Sequence, residues 1–404
     1  MERKEPHPFR TAAALWPALL IAMLDQCALL IAIPVLPVAF LEMGYSPAEA
    51  ATYAGAAVSL FAASQLMGSP FSGRLSDKFP RYKVLAGCGL ISSAGLILCC
   101  LAPAASFVLA GRVVCGLGGG SRGVLAAIVS DEADQSYRHI AFSKLNACTS
   151  AAYIVAPAVG GVLSFVSWRL PFAVAGTLAF MSAVVCWLSS TRSNSSESCR
   201  GVSPGARERR TGGSSRTSIV LISFFCSFAN VAFPTTLAIA NTVRYGWTAL
   251  EVGSLFTLLG LCGLAAQLWV LPVLSRRFDP RQVLSVALAS GLIGITIYAV
   301  SPTTGWFYSA VPLMAVLMLA PSSILALLST TATQEAQGST QALITMSSAS
   351  ASLLGPSLFS SLLAWQLSID PDLSVLPVLP FALSGLCLIL AVTVHATTSA
   401  IRSR

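Results

Sequence analysis

The stretch that decides the fold is GSPFSGRLSDKFPRYKVL, residues 68–85. It carries one acid, Asp77, and the four bases Arg74, Lys78, Arg81 and Lys83 between two long apolar runs. A short, highly charged turn between apolar segments is expected at a membrane surface, and its excess of bases assigns that surface to the cytoplasmic side. The other segments can be oriented from this turn.

The composition indicates an integral membrane protein. Of the 404 residues, 55% are hydrophobic and 10% are charged, whereas soluble proteins carry roughly 25% charged residues. A formal net charge of +8 would point to nucleic acid in a soluble chain. Here the bases fall in the loops between apolar runs, which is the positive-inside pattern, so we expect no nucleic-acid partner.

Histidine and cysteine give no signature of a metal site or a disulfide framework. The three histidines are far apart in the sequence, every cysteine except Cys199 lies in an apolar run, and no CxxC occurs. We interpret the cysteines as small buried hydrophobic residues on helices. With no His or acid cluster inside the apolar runs, we expect no metal, no cofactor, no catalytic residues and no enzyme activity.

Twelve apolar runs are long enough to cross a bilayer, which takes about 20 residues each. The predicted spans are residues 12–40, 49–73, 84–103, 105–128, 145–166, 170–190, 218–240, 250–273, 282–301, 305–330, 342–366 and 375–397. The segment 191–217, rich in Ser, Gly and Arg, predicts a flexible cytoplasmic linker. The predicted fold is an all-α integral membrane protein with twelve transmembrane helices in two six-helix bundles, residues 1–190 and 218–404.

The positions of the bases predict that both termini are cytoplasmic. In this orientation every Lys and Arg lies on the cytoplasmic side except Arg112, Arg122, Arg169 and Arg244.

The two halves of the chain also repeat each other. Residues 75–79, LSDKF, recur as residues 274–278, LSRRF, and Ala156-Pro157 recurs at the same offset as Gly355-Pro356. A parallel repeat of this kind is typical of secondary transporters, in which the substrate site lies between the halves near the membrane midplane.

Several motifs resemble those of the major facilitator superfamily. Residues 73–83, GRLSDKFPRYK, resemble the signature between its second and third helices, and Arg112 in LAGRVVCGLGGG resembles its fourth-helix motif. Residues 156–161, APAVGG, resemble the fifth-helix antiporter motif. Leu24-Asp25 and Gln65 are most similar to tetracycline/proton antiporters. The resemblance implies the twelve-helix drug/proton antiporter family.

Asp25 is the one acid deep inside a predicted span. An ionised Asp at the midplane costs about 2.5 kcal/mol or more, so such residues usually line a cavity or a proton path. We predict that Asp25 is the protonation site; the alternative is an acid neutralised by a structural partner.

Arg112 is predicted to be the counter-charge of Asp25, and the resemblance implies a role in proton coupling; a structural ion pair or backbone clamp is the alternative. Arg122, about 15 Å nearer the cytoplasm along a helix, is interpreted as a helix-end anchor.

The charged turn supplies a candidate gate. Asp77 ends the second span where the eleventh begins, and a carboxylate there can accept hydrogen bonds at a helix amino terminus. With Gly73 and Arg81 of the same motif, Asp77 is predicted to latch the two bundles on the inside. Arg81 would either hold the Asp77 turn or pair with the acidic residues 131–134. The alternative for all of them is ordinary interfacial charge.

The fifth span carries a second candidate motif. Pro157 can bend its helix, and Gly160 and Gly161 can let it approach a neighbour closely. The resemblance implies that these residues favour antiport, whereas helix packing without a mechanism is the alternative.

The substrate cavity is predicted to be lined by the amide side chains of Gln65, Asn230, Gln267 and Gln341. No charge lies inside a predicted span of the second half, so the wall suits a lipophilic or weakly polar solute. The resemblance implies acids in the third and ninth spans of tetracycline carriers. Residues 84–103 and 282–301 contain none, which argues against tetracycline itself.

These features predict a proton-coupled antiporter that exports an amphipathic small molecule or drug across the bacterial cytoplasmic membrane by alternating access, as a monomer. Its partners would be the small-molecule substrate, protons and the lipid bilayer. The alternatives are an exporter or symporter of a sugar or another metabolite, and a membrane sensor or scaffold that transports nothing.

Overall fold

The computed structural model describes residues 8–132, 138–192, 213–331, 334–374 and 378–402, and its regular elements over these ranges are all helical. The helices of the first half are α1 (Pro8–Ala32), α2 (Val35–Glu42), α3 (Pro47–Lys78), α4 (Arg81–Cys100), α5 (Ala105–Gly118), α6 (Ser121–Glu132), α7 (Arg138–Val166) and α8 (Arg169–Arg192). Those of the second half are α9 (Gly213–Tyr245), α10 (Ala249–Ala265), α11 (Leu271–Arg277), α12 (Pro280–Val300), α13 (Thr304–Ser309), α14 (Val311–Leu317), α15 (Ala320–Thr331), α16 (Gln334–Ile369) and α17 (Leu379–Arg402). A π-helical turn, Ala266–Val270, joins α10 to α11.

The helices account for the twelve predicted spans. Ten helical runs among the described residues are long and apolar enough to cross a membrane. The other two predicted spans correspond to α7 and α16, which are 29 and 36 residues long. The predicted fold class, an all-α membrane protein with twelve spans, is therefore confirmed.

Three of the predicted spans are interrupted helices. The first breaks between α1 and α2 at Ile33-Pro34, where the proline removes a backbone donor and disfavours helical geometry in the residue before it. The fourth breaks at Gly119-Gly120, and glycine is the weakest helix former after proline. The tenth is divided into α13, α14 and α15. Apolar length alone does not reveal such breaks.

The charged stretch that orients the chain is mostly helical. Helix α3 continues to Lys78 and α4 begins at Arg81, so the polar hairpin is reduced to the two-residue turn Phe79-Pro80. Pro80 has a φ of −52°, which suits the residue that precedes the first turn of α4.

Capping boxes mark the start of equivalent spans in the two halves. At the start of α3, the backbone N–H and the hydroxyl group of Ser46 donate to the Glu49 carboxylate at 2.9 and 2.8 Å. At the start of α10, Thr248 donates to Glu251 in the same way at 2.7 and 3.0 Å. Each box satisfies helix-end donors and fixes where the span begins.

The chain divides into two compact units by its internal contacts. Unit 1 comprises residues 1–35 and 60–199, and unit 2 comprises residues 36–59 and 200–404. In unit 1, α1 packs against α7 and α8, and α4 packs against α5 and α8. In unit 2, α9 packs against α16 and α17, and α12 packs against α14 and α17. The same packing order thus occurs twice, as the sequence repeat implies.

The part of α3 before Leu60 belongs to unit 2, where it contacts α16. The Ser357 hydroxyl group donates to the Ser59 hydroxyl oxygen at 2.8 Å. One turn earlier, a Cβ added at Gly55 would collide with the Cβ of Ser360 and lie 2.6 Å from the backbone oxygen of Pro356, so α3 and α16 approach closely at this glycine. The predicted division into residues 1–190, 191–217 and 218–404 stays a prediction, and most of its linker lies outside the described residues.

Candidate functional site

A cavity of about 300 Å³ lies within unit 1. Helices α1, α3, α4, α5, α6, α7 and α8 all contribute to its wall, and most of the lining is apolar. Its polar lining side chains include Asp25, Gln26, Gln65, Ser121 and Arg122. Among all the lining residues, only Asp25 and Arg122 carry a formal charge.

Asp25 is the carboxylate of this cavity. It lies in the second half of α1, and the hydroxyl groups of Ser121 and Ser182 interact with it as hydrogen-bond donors. The guanidinium group of Arg122 acts on it electrostatically. An acid held by hydroxyl groups at the edge of a cavity can exchange a proton with the contents of that cavity, provided that water enters it.

Gln26, next to Asp25, is paired with Arg122. Arg122 Nη2 donates to Gln26 Oε1, and this contact fixes the orientation of the amide because a guanidinium group can only donate. The amide nitrogen Nε2 is buried and finds no hydrogen-bond partner among the described residues. Gln26 is only 5% exposed and belongs to the cavity lining, and its Nε2 is an unsatisfied donor.

Arg112 occupies a different position from the one expected of a counter-charge to Asp25. It is 1% exposed, its guanidinium carbon lies 4.5 Å from the centroid of the Phe61 ring, and it is absent from the cavity lining. Its Nε and Nη1 atoms find no hydrogen-bond partner among the described residues. The cation that the structure brings to the cavity of Asp25 is Arg122, which sequence reasoning had assigned to a helix end.

The break in the fourth span explains why Arg122 lies at the cavity. Gln65 Nε2 donates to the backbone oxygen of Gly119 at 2.9 Å, which holds α3 against the break. Helix α6 starts two residues later, and Ser121 and Arg122, its first two residues, border the cavity. Gln65, predicted to line the substrate cavity, borders the cavity of unit 1, and its amide nitrogen is used for this helix contact. Its role toward a substrate stays a prediction.

The candidate gate lies at the turn between α3 and α4. Gly73 is helical within α3, Asp77 is exposed near its end, and both lie in unit 1. Of the two contacts predicted for Arg81, the structure shows the one with the acidic cluster: Arg81 Nη1 lies 2.9 Å from Asp131 Oδ2. The gating role of the three residues stays a prediction.

The ion pair of Arg81 with Asp131 should contribute little to stability. The two side chains are 28% and 59% exposed, and exposed pairs typically contribute about 0–1 kcal/mol. We expect Asp131→Asn to lower the free energy of unfolding by less than about 1 kcal/mol, and by less still in high salt. Thermal unfolding in detergent at low and high salt measures this, with the exposed Asp372→Asn as the matched control. A loss of several kcal/mol would contradict it.

The residues of the fifth-span motif lie in α7. Pro157, Gly160 and Gly161 are all buried, and α7 is continuous through Pro157. A Cβ added at Gly160 would lie 2.5 Å from the backbone oxygen of Ile31, so α7 meets the backbone of α1 at this point. The close approach predicted for the motif is present at Gly160; its role in antiport stays a prediction.

The predicted cavity residues of the second half are not part of this cavity. Asn230 lies half-buried in α9, and Gln267 lies half-buried in the π-helical turn. Gln341 falls in α16, where its side chain is outside the described part of the structure. Their role as cavity residues stays a prediction.

Sequence reasoning missed Gln26 and Arg122 of the cavity lining and the two serines, Ser121 and Ser182, that interact with Asp25. Gln26 carries a signal, because it is an amide beside the one buried acid of an apolar run. Arg122 carries one as well, since it is a base inside a predicted span. Ser182 carries none, because serine is common in membrane helices and nothing in the sequence pairs α8 with α1.

Comparisons with known proteins agree with this fold. Residues 17–356 match the Major Facilitator Superfamily. The class C tetracycline resistance protein of Escherichia coli is 26% identical over 84% of this chain and 87% of its own. Multidrug resistance protein 2 of Bacillus subtilis is 26% identical over 65% of this chain and 66% of its own.

A solved structure shows the same fold. The bacterial homologue of the human lysosomal transporter Spinster, in an inward-facing and unoccupied conformation, superposes with a TM-score of 0.72 at 16% identity. The superposition covers 97% of each chain.

Proposed function

The chain belongs to the major facilitator superfamily and is a multi-pass membrane transporter of small molecules rather than an enzyme, and we propose that it is a proton-coupled drug efflux antiporter. It would export an amphipathic small molecule in exchange for protons across the bacterial cytoplasmic membrane. In this proposal it works by alternating access, as a monomer with both termini in the cytoplasm. The names of its relatives, tetracycline resistance and multidrug resistance proteins, support a drug as the substrate.

The observation that carries the proposal is the place of Asp25. It is the single carboxylate among the residues that line the cavity of unit 1, and it borders the space in which a solute would bind. A proton and a basic or polar solute would then compete for one carboxylate, and such competition is the simplest basis for exchange. Coupling further requires that the two access states differ in their affinity for the proton.

The other predicted residues have supporting roles in this proposal. Arg112 would tune the electrostatics of unit 1 from its buried place beside Phe61. Gly73, Asp77 and Arg81 would form the cytoplasmic gate. The residues Pro157, Gly160 and Gly161 would set the packing of α7 that favours exchange. Gln65 would contact the solute in the cavity of unit 1, and contacts of Asn230, Gln267 and Gln341 with a solute stay predictions.

Proton release on solute addition tests the proposal. Everted membrane vesicles from an efflux-deficient bacterium that expresses the full chain are acidified inside by respiration, and a pH-sensitive dye reports the interior. Norfloxacin, ethidium and tetracycline are added in turn, and growth inhibition by the same compounds is measured in intact cells. We expect at least one compound to release interior protons and to be tolerated better by the expressing cells, with vesicles lacking the chain as the control.

The rival assignments predict other outcomes in the same vesicles. A symporter would carry its solute and protons in the same direction, so a sugar or metabolite would move without this exchange. If no tested drug releases protons and resistance is unchanged, drug/proton antiport is the wrong assignment.

A further inference from the structure

The cavity of unit 1 contains a cluster of hydrogen-bond donors besides the carboxylate of Asp25. Gln26 Nε2 is an unsatisfied donor in a side chain that is 95% buried. Arg122 donates to the other end of the same amide. The amino end of α6 borders the cavity beside them, and the first N–H groups of a helix carry partial positive charge.

These donors match an acidic oxygen group. A buried donor without a partner costs free energy, which an incoming acceptor can recover. A guanidinium group and an amide N–H beside a helix amino terminus are typical partners of a carboxylate or an enolate. The donor cluster of Gln26, Arg122 and the start of α6 therefore has the chemistry that an anionic oxygen group of a solute requires.

Charge balance defines the rest of the solute. Asp25 and Arg122 are the charged groups of the cavity lining, so their formal charges cancel when both are ionised. A bound monoanion or monocation would leave one charge uncompensated in a largely apolar site, which is costly. A zwitterion leaves the sum at zero, since its basic nitrogen can pair with Asp25 and its acidic oxygen with Arg122.

We infer that the exported solute is a small zwitterion, held by Asp25 through a basic nitrogen and by Arg122 and Gln26 through an acidic oxygen group. The inference rests on the proposed function and deepens it. The basic nitrogen takes the place of the proton at Asp25, which keeps solute and proton in competition. The acidic group takes a separate subsite, which adds affinity and selects among amphipathic solutes.

Two kinds of ionisable group lie near Asp25 besides Arg122: the buried cation Arg112, which is outside the cavity lining and packs against Phe61, and three thiols. The thiols of Cys88 in α4, Cys115 in α5 and Cys186 in α8 interact electrostatically with Asp25. A thiol is neutral at ordinary pH. Helix α7 contributes Leu145 and Thr149 to the cavity lining, and neither is charged.

The test measures binding to the purified full chain in detergent, without a gradient, so that it does not depend on transport. The probes are norfloxacin, its ethyl ester and its N-formyl derivative. Norfloxacin is a zwitterion, the ester keeps only the basic nitrogen, and the N-formyl compound keeps only the carboxylate. We expect the wild type to bind norfloxacin more tightly than either derivative.

The variants separate the two ends of the site. Arg122→Gln should weaken norfloxacin binding by about 10- to 100-fold, the range for a charge-assisted hydrogen bond, while ester binding changes little. Gln26→Met should weaken norfloxacin binding less and in the same selective way, and it keeps Arg122 in case Arg122→Gln does not fold. Arg169→Gln, which removes an exposed arginine outside the cavity, should leave all three affinities unchanged.

Some outcomes would overturn the subsite. They are equal affinity of the wild type for the three compounds, no binding of norfloxacin, or an equal loss of norfloxacin and ester binding in both variants. The proton-release assay on wild-type vesicles decides the proposed function separately. If protons are released but the variants do not lose norfloxacin binding selectively, the subsite is wrong and antiport stands. If the variants lose norfloxacin binding selectively but no protons are released, the subsite stands and antiport is wrong.

Discussion

Asp25→Asn is expected to abolish solute-driven proton release and leave a folded protein. Asparagine has nearly the same shape and can still accept hydrogen bonds from Ser121 and Ser182, but it cannot bind or release a proton in the working range. Without exchange of a proton at this position, binding of solute no longer drives a proton out. The proton release that the dye reports in everted vesicles should therefore fall to the level of vesicles lacking the chain.

A second measurement separates loss of coupling from loss of the carrier. Exchange of labelled for unlabelled solute across proteoliposomes needs no proton, so Asp25→Asn should retain it at solute concentrations high enough to offset the lost pairing of the solute with the carboxylate. Glu42→Gln, which removes an exposed carboxylate at the end of α2, is the matched control and should retain proton release. If Asp25→Asn still releases protons at the wild-type rate, another group carries the proton.

Gly160→Val is expected to cause the largest loss of stability. The Cβ of any side chain at this position would lie 2.5 Å from the backbone oxygen of Ile31, and a backbone atom cannot turn aside as a flexible side chain can. Overpacking of this kind typically costs about 1–3 kcal/mol, and the two further methyl groups of valine widen the clash. Helices α1 and α7 would separate, and transport should be lost with them.

Two companion variants make this result interpretable. Gly160→Ala should give a smaller loss in the same direction. Gly87→Ala in α4, where an added Cβ meets nothing within 4 Å, should be neutral or slightly stabilising, because alanine favours a helix over glycine. Thermal unfolding of the purified variants in detergent measures all three. A Gly160→Ala protein as stable as the Gly87→Ala protein would show that α7 does not need this approach.

The number and type of the elements were predictable from the sequence because they follow from local properties. Twelve apolar runs, the repeated LSDKF and LSRRF segments and the bases between the runs required no knowledge of packing. The helix breaks were only partly readable: Pro34 and the pair Gly119-Gly120 disfavour a helix, but neither residue type shows how far the chain is interrupted.

The composition of the cavity was less predictable, because it depends on which helix faces meet. Arg112 and Arg122 are ten residues apart, which places them about 80° apart around a continuous helix. They therefore could not both face Asp25, but the sequence does not say which one does. Two features place Arg122 rather than Arg112 at the cavity: the break between α5 and α6, and the packing of Phe61 over Arg112. Ser182 comes within hydrogen-bond reach of Asp25 only because α8 packs on α1.

The close contacts of helix α5 limit which substitutions the protein can accept when it is selected for transport of a new solute. An added Cβ at Gly116 would collide with the Phe61 backbone oxygen and with Ser64, and one at Gly118 would lie 2.5 Å from the backbone oxygen of Cys88. Random libraries should therefore be depleted of substitutions at these two glycines, which pack against α3 and α4. Gain-of-resistance alleles should instead accumulate on other wall positions of the cavity, such as Leu29 and Thr149.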